Sequence, residues 1–134
     1  MTYLLDTNAI ADLMRAAPRI ENWMAGLDQR DRVVICPIVR GEVLFGIARL
    51  PEGRRRSELE QTGQHFLTAL RCEPVPERAG DFYAAVKLFR QRRGLALDEN
   101  DLWMAATALA LGATLVSRDS DFAGIDGLTL VAPE

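Results

Sequence analysis

Apolar and polar positions alternate along the chain in blocks that read as strands and helices in turn. Tyr3-Leu4-Leu5 is a short apolar run that stops at Asp6, and Thr7-Asn8 lead into a helical pattern. A strand that ends on an acid in this way delivers the carboxylate to its own C-terminal end. Ile10, Leu13 and Met14 then recur at helical spacing over Ala9–Arg15, and Pro18 opens a second helix through Ile20, Trp23, Met24 and Leu27. Asp28–Arg32 is a polar loop. Val33-Val34-Ile35-Cys36, closed by Pro37, is a second buried strand. Ile38–Leu50 is helical and apolar on nearly all sides, which predicts burial on more than one face.

Further on, Pro51–Arg56 is a charged break with three successive arginines, and Glu58–Leu70 is a helix. Cys72–Val75 is a weak strand. Glu77–Arg93 is a longer helix ended by Gly94, and Asp98–Leu111 is an alanine-rich helix ended by Gly112. Ala113–Ser117 is the clearest late strand, and Leu128–Val131 is a last short one. Strands alternating with helices predict an α/β fold: one α/β/α domain over residues 1–134, with a mostly parallel central sheet and helices on both faces.

In such a sheet the strand-to-helix corners share one edge, where ligands bind. Four acids occupy those corners. Asp6 follows the first strand, Glu42 lies early in the helix after the second, Asp101 opens the alanine-rich helix, and Asp119 follows strand Ala113–Ser117. Taken singly, each has an ordinary explanation as a helix cap or a dipole partner. Together at equivalent corners, they repel unless a cation joins them. Their all-oxygen donors suit a hard divalent ion, Mg²⁺ or Mn²⁺. Such a site can activate water against a phosphodiester without a histidine or a nucleophilic side chain. Asp98 is the better N-cap of its helix, and Asp121 stands behind Asp119 as a supporting or second-metal residue.

Composition narrows the alternatives. His65 is the only histidine, and Cys36 and Cys72, the only cysteines, form no CxxC pair, so a zinc site is excluded and reduced thiols are expected. The net charge of −3 hides a basic set that is arginine except for Lys87, and arginine suits phosphate contacts. No apolar run is long enough to span a bilayer, and Asp6 comes too early for a signal peptide, so a cytoplasmic protein is expected.

The residues that carry the most specific pattern are Leu4-Leu5-Asp6-Thr7-Asn8, Glu42 within Val39-Arg40-Gly41-Glu42-Val43, Asn100-Asp101-Leu102-Trp103-Met104-Ala105-Ala106-Thr107-Ala108, and Leu115-Val116-Ser117-Arg118-Asp119-Ser120-Asp121-Phe122. In order and spacing they resemble the PIN-domain pattern, most closely that of VapC-type toxins of toxin–antitoxin pairs. Pro51–Arg78 matches no motif. The resemblance implies a metal-dependent endoribonuclease held inactive by a cognate VapB-type antitoxin. Its four acids map to Asp6, Glu42, Asp101 and Asp119, and its small polar residues to Thr7, Asn8 and Ser117, where serine replaces the usual threonine.

On that reading Arg54, Arg55, Arg56, Arg90, Arg93 and Arg118 guide RNA. Helix Ile38–Leu50 closes a homodimer, and Ile10, Leu13, Met14 and Trp23 form the antitoxin groove. Two alternatives compete. One is a catalytically silent PIN-fold binding module. The other is a phosphatase, which the single lysine and Asn8 in place of a second aspartate disfavour.

Overall fold

The computed structural model describes residues Met1–Glu134. Five parallel strands form one sheet in the order β3-β2-β1-β4-β5. They are β1 (Thr2–Leu5), β2 (Arg32–Ile35), β3 (Arg71–Cys72), β4 (Thr114–Val116) and β5 (Leu130–Val131). Leu4, Leu5, Val34, Ile35, Leu115 and Val116 are all buried, as continuous apolar strands covered on both faces must be.

Six helices cover the sheet: α1 (Thr7–Met14), α2 (Pro18–Ala25), α3 (Pro37–Ala48), α4 (Arg54–Ala69), α5 (Ala79–Arg92) and α6 (Glu99–Leu111). Helices α1 to α4 pack on one another, and α5 packs on α6. The connectivity accounts for this division. The chain steps from β1 to β2 to β3 in one direction, then crosses back to β4 on the far side of β1. Right-handed crossovers put helices of opposite travel on opposite faces. The order therefore reverses between β1 and β4, which makes that junction the switch point of the sheet.

Helix α6 is the most deeply buried. Met104, Ala105, Ala106 and Ala108 are inaccessible or nearly so, and their small side chains let the helix lie close to the sheet. Asp98 caps it by accepting from the Asn100 amide at 3.1 Å, and Gly112 ends it with φ 63°. Because β4 starts only after Gly112, the N-terminus of α6 points back to the C-terminal edge of the sheet.

Several expected boundaries shift. Cys36 is the N-cap of α3 and not a strand residue, and Pro37 starts that helix. The three arginines expected in a break form the first turn of α4. The expected strand Cys72–Val75 is the two-residue β3, an edge strand with little to hold it. Ile10 and Leu13 are 0% and 6% exposed and belong to the core. The antitoxin groove expected over Ile10–Trp23 is therefore corrected for Ile10 and Leu13, whereas Met14 and Trp23 are half-buried, and Trp23 packs edge-on against Tyr3 at 5.0 Å.

Helix α3 fits its apolar circumference differently. Val39, Val43 and Ile47 are buried, but Leu44 is 43% and Phe45 67% exposed, so one face of the helix lies outside the core. Cys36 and Cys72 are free, the first buried and the second half-buried. No helix is long and apolar enough to cross a membrane.

Candidate active site

The register of the sheet sets the first pair. Leu5 lies level with Val116, and the Asp6 amide continues the ladder by donating to the Val116 carbonyl at 3.1 Å. Asp6 therefore stands beside Ser117, just past the switch point. Its carboxylate accepts from the Ala9 amide at 2.7 Å, so the residue is also the N-cap of α1. Capping and site membership coexist, because one oxygen satisfies the helix while the other remains. Burial pushes the Asp6 carboxyl up, the Ser117 hydroxyl and the Ala9 amide pull it back, Asp119 raises it further and Arg118 lowers it.

Glu42 ties three segments together. It accepts from the Thr7 hydroxyl at 2.7 Å and from the Asn100 side-chain amide at 3.4 Å, so α1, α3 and α6 meet on one carboxylate. Asp101 follows on the same first turn of α6. Its carboxyl is pushed up to about 6, first by burial and then by Asp98, Glu42, Asp119 and Asp6 in turn. No basic group offsets them. Asp119 lies past β4, where its amide donates to the Ser117 hydroxyl at 3.0 Å and its carboxylate accepts from the Asp121 amide at 2.9 Å.

The four acids thus lie at one corner of the sheet, close enough that Asp98, Glu42, Asp119 and Asp6 all raise the Asp101 carboxyl. They do not stand as the closed shell expected from the sequence, since no three His, Cys, Asp or Glu side chains form a group that could hold a metal ion. The hydrogen bonds explain the spread. Asp6 and Asp119 each use an oxygen as a local cap, and Glu42 is held by Thr7 and Asn100. In donor chemistry the set still suits a hard cation. The candidate donors are all carboxylate oxygens, and a carboxyl raised to about 6 by burial and then by four like charges marks a site of negative potential.

The supporting residues divide. Thr7 and Ser117 are bonded into the cluster. Asp121 is exposed and reaches Asp119 through its backbone. Asn8 is exposed on the first turn of α1, outside the hydrogen bonds that join the acids.

The arginines divide more sharply. Arg118 is at the site: its guanidinium holds Asp12 at 3.1 Å and acts on Asp6. Arg54 and Arg56 pair with Glu58 and Glu60 one turn on along α4, while Arg55 is exposed. Arg93 lies over the Phe89 ring at 3.7 Å. Arg90 is 8% exposed and donates to the Ala96 carbonyl at 3.1 Å, so its expected role in binding RNA is corrected to one inside the fold.

Sequence reasoning missed Arg49. A groove of about 700 Å³ runs from Thr7, Glu42 and Asn100 along α3 to Phe45 and Arg49. The i, i+3, i+7 spacing from Glu42 was the available signal. A larger concavity, about 910 Å³, lies on α4 around Gln61 and His65, but gathers none of the four acids.

Known proteins share this fold and sequence pattern at the level of the whole chain. The PIN domain model matches residues 3–128. The chain is 30% identical over 135 residues to VapC ribonuclease Y4jK of Sinorhizobium fredii, covering 97% of this chain and 96% of that protein. FitAcB from Neisseria gonorrhoeae superimposes with a TM-score of 0.81 at 28% identity, over 96% of this chain and 95% of that one. VapBC2 from Rickettsia felis, solved on a DNA fragment from its promoter, matches in fold with a TM-score of 0.90 at 24% identity, over the whole of both chains. The chain therefore belongs to the PIN-domain family, among its VapC-type toxins.

Proposed function

We propose that this protein is an endoribonuclease toxin, that residues 1–134 act as its single nuclease domain, and that a VapB-type antitoxin neutralises it. One observation carries the reading: acids from four distant segments converge at the β1/β4 switch point, with Glu42 bonded to both Thr7 and Asn100. The names of its relatives, a ribonuclease and toxin–antitoxin complexes, support the same conclusion.

Asp6, Glu42, Asp101 and Asp119 would hold Mg²⁺ or Mn²⁺. When bound, such an ion supplies charge for a phosphate oxygen and a more acidic water. The chain's own residues do the rest. Thr7 and Asn100 orient Glu42. Ser117 orients Asp119 and steadies the charge on Asp6. Arg118 and Arg49 offer cations on either side of the acids for phosphates of the bound strand. The surplus negative potential at Asp101 also fits neutralisation by a basic antitoxin side chain, which would compete with the metal for the same carboxylates.

For assembly, the exposed Leu44 and Phe45 of α3 and Leu88 and Phe89 of α5 are the apolar surfaces on which a homodimer would close. Cleavage of an RNA pool by the purified protein in Mg²⁺ or Mn²⁺, and its loss in EDTA, tests the reading. RNA left intact under both metals would refute it.

A further inference from the structure

Arg90 is a buried cation that the proposed chemistry leaves without a task. Its side chain leaves α5 inward and is 8% exposed. Its Nη2 donates to the Ala96 carbonyl at 3.1 Å, and its own carbonyl accepts from the Leu95 amide at 2.9 Å and the Arg93 amide at 3.1 Å. The turn between α5 and α6 is thus closed onto one residue from both sides. Gly94, at φ 66°, supplies the left-handed step that lets the chain double back.

The clasped carbonyl lies two residues before Asp98, the cap of α6. Asp98 holds the Asn100 amide, Asn100 reaches Glu42, and Asp101 follows. A second tie holds the same turn: Lys87 bonds Glu99 at 2.6 Å. That pair is exposed, and exposed pairs fix little. A guanidinium removed from water and bonded to a carbonyl fixes more, because breaking the bond would strand a buried charge. Nε of Arg90 is already buried without a partner, so the residue is retained at a cost.

We propose that Arg90 is a positioning residue: by clasping the Leu95–Ala96 turn it sets the N-terminal turn of α6 and so the placement of Asn100 and Asp101. The functional half of this rests on the reading of the acids as a metal site.

The test uses the whole purified protein with Arg90→Met and Arg90→Lys. Amide hydrogen exchange is followed across the chain, and Mn²⁺ binding is measured by calorimetry. In Arg90→Met, exchange rises over residues 95–101 while β1 and β4 stay protected, and half-saturation by Mn²⁺ moves up about tenfold or more, as when a residue supporting metal ligands is lost. Arg90→Lys, which keeps the charge but not the fork, falls between. The salt dependence of RNA binding stays that of the wild type, because the side chain is buried and bonded inside the fold.

An even rise of exchange over the whole sheet would overturn the proposal by making Arg90 a general core contact. So would an unchanged Mn²⁺ midpoint despite a loosened turn. If Arg90→Met does not fold, the same two measurements on Arg90→Lys decide. A wild-type protein that binds no Mn²⁺ would instead count against the nuclease reading, and the exchange pattern would still decide whether the clasp exists.

Discussion

At the scale of single residues, the site is governed by negative charge that Arg118 offsets only at Asp6 and Asp12. Asp101 is the clearest case, raised from 3.8 to about 6. The folded protein therefore holds that proton more tightly than the unfolded chain. Stability from this source is present at low pH and is lost as pH rises from about 4 to about 6. In cation-free buffer, Asp101→Asn should abolish that loss and raise the melting midpoint at pH 7.5 by about 3 °C, a modest value because the side chain is only partly buried. Excess Mg²⁺ should raise the wild-type midpoint by mass action and leave the variant unmoved. Scanning calorimetry checks both, and a variant less stable than wild type at pH 7.5 would contradict the electrostatic account. Thr7 offers a second test. Thr7→Val keeps the shape of the side chain but frees Glu42, so cleavage should fall about 10- to 100-fold in a normally folded protein. Wild-type rates would mean that Glu42 needs no orientation.

At the scale of elements, legibility in the sequence followed burial. β1, β2 and β4 read clearly because strands covered on both faces are continuously apolar. α6 read clearly because its alanines, cap and terminal glycine agreed. β3 shrank to Arg71–Cys72 because an edge strand is held by one neighbour only. The start of α4 was misplaced because Arg54–Arg56 looked like a solvated break, whereas pairing to Glu58 and Glu60 one turn on lets charged residues begin a helix.

Among the candidate acids, Asp6 and Asp119 stand just past strand ends as read, whereas Asp101 opens a helix that follows α5 and no strand, so its place beside them came from the fold and not from a strand end. Arg90 and Arg49 were not legible, because helical spacing alone does not say which face turns inward. The same ambiguity misassigned Ile10 and Leu13 to a partner. Helix α3 keeps an exposed apolar face, and if a homodimer closes on it, Phe45→Glu should lower the molecular mass measured by light scattering from dimer to monomer. A wild-type protein that is already monomeric at micromolar concentration would remove α3 from that role.

For the whole molecule, the C-terminal edge of the sheet carries Arg118 beside the acids. Arg118, beside the acids, should contribute to RNA affinity through counterion release. Arg118→Gln should reduce the slope of log affinity against log salt by about 0.7, whereas Arg54→Gln, on α4 and acting on none of the four acids, should leave it unchanged. Equal effects of the two would mean a diffuse basic surface and no track past the site.

The central claim is that converged carboxylates, and not the basic surface, perform the cleavage. The most direct measurement is the rate at which purified wild type, Asp6→Asn and Asp101→Asn cut an RNA pool at millimolar Mg²⁺, with RNA binding followed in parallel. The account predicts that both variants bind RNA but cut at least about 100-fold more slowly. Cutting at the wild-type rate by either variant would contradict it.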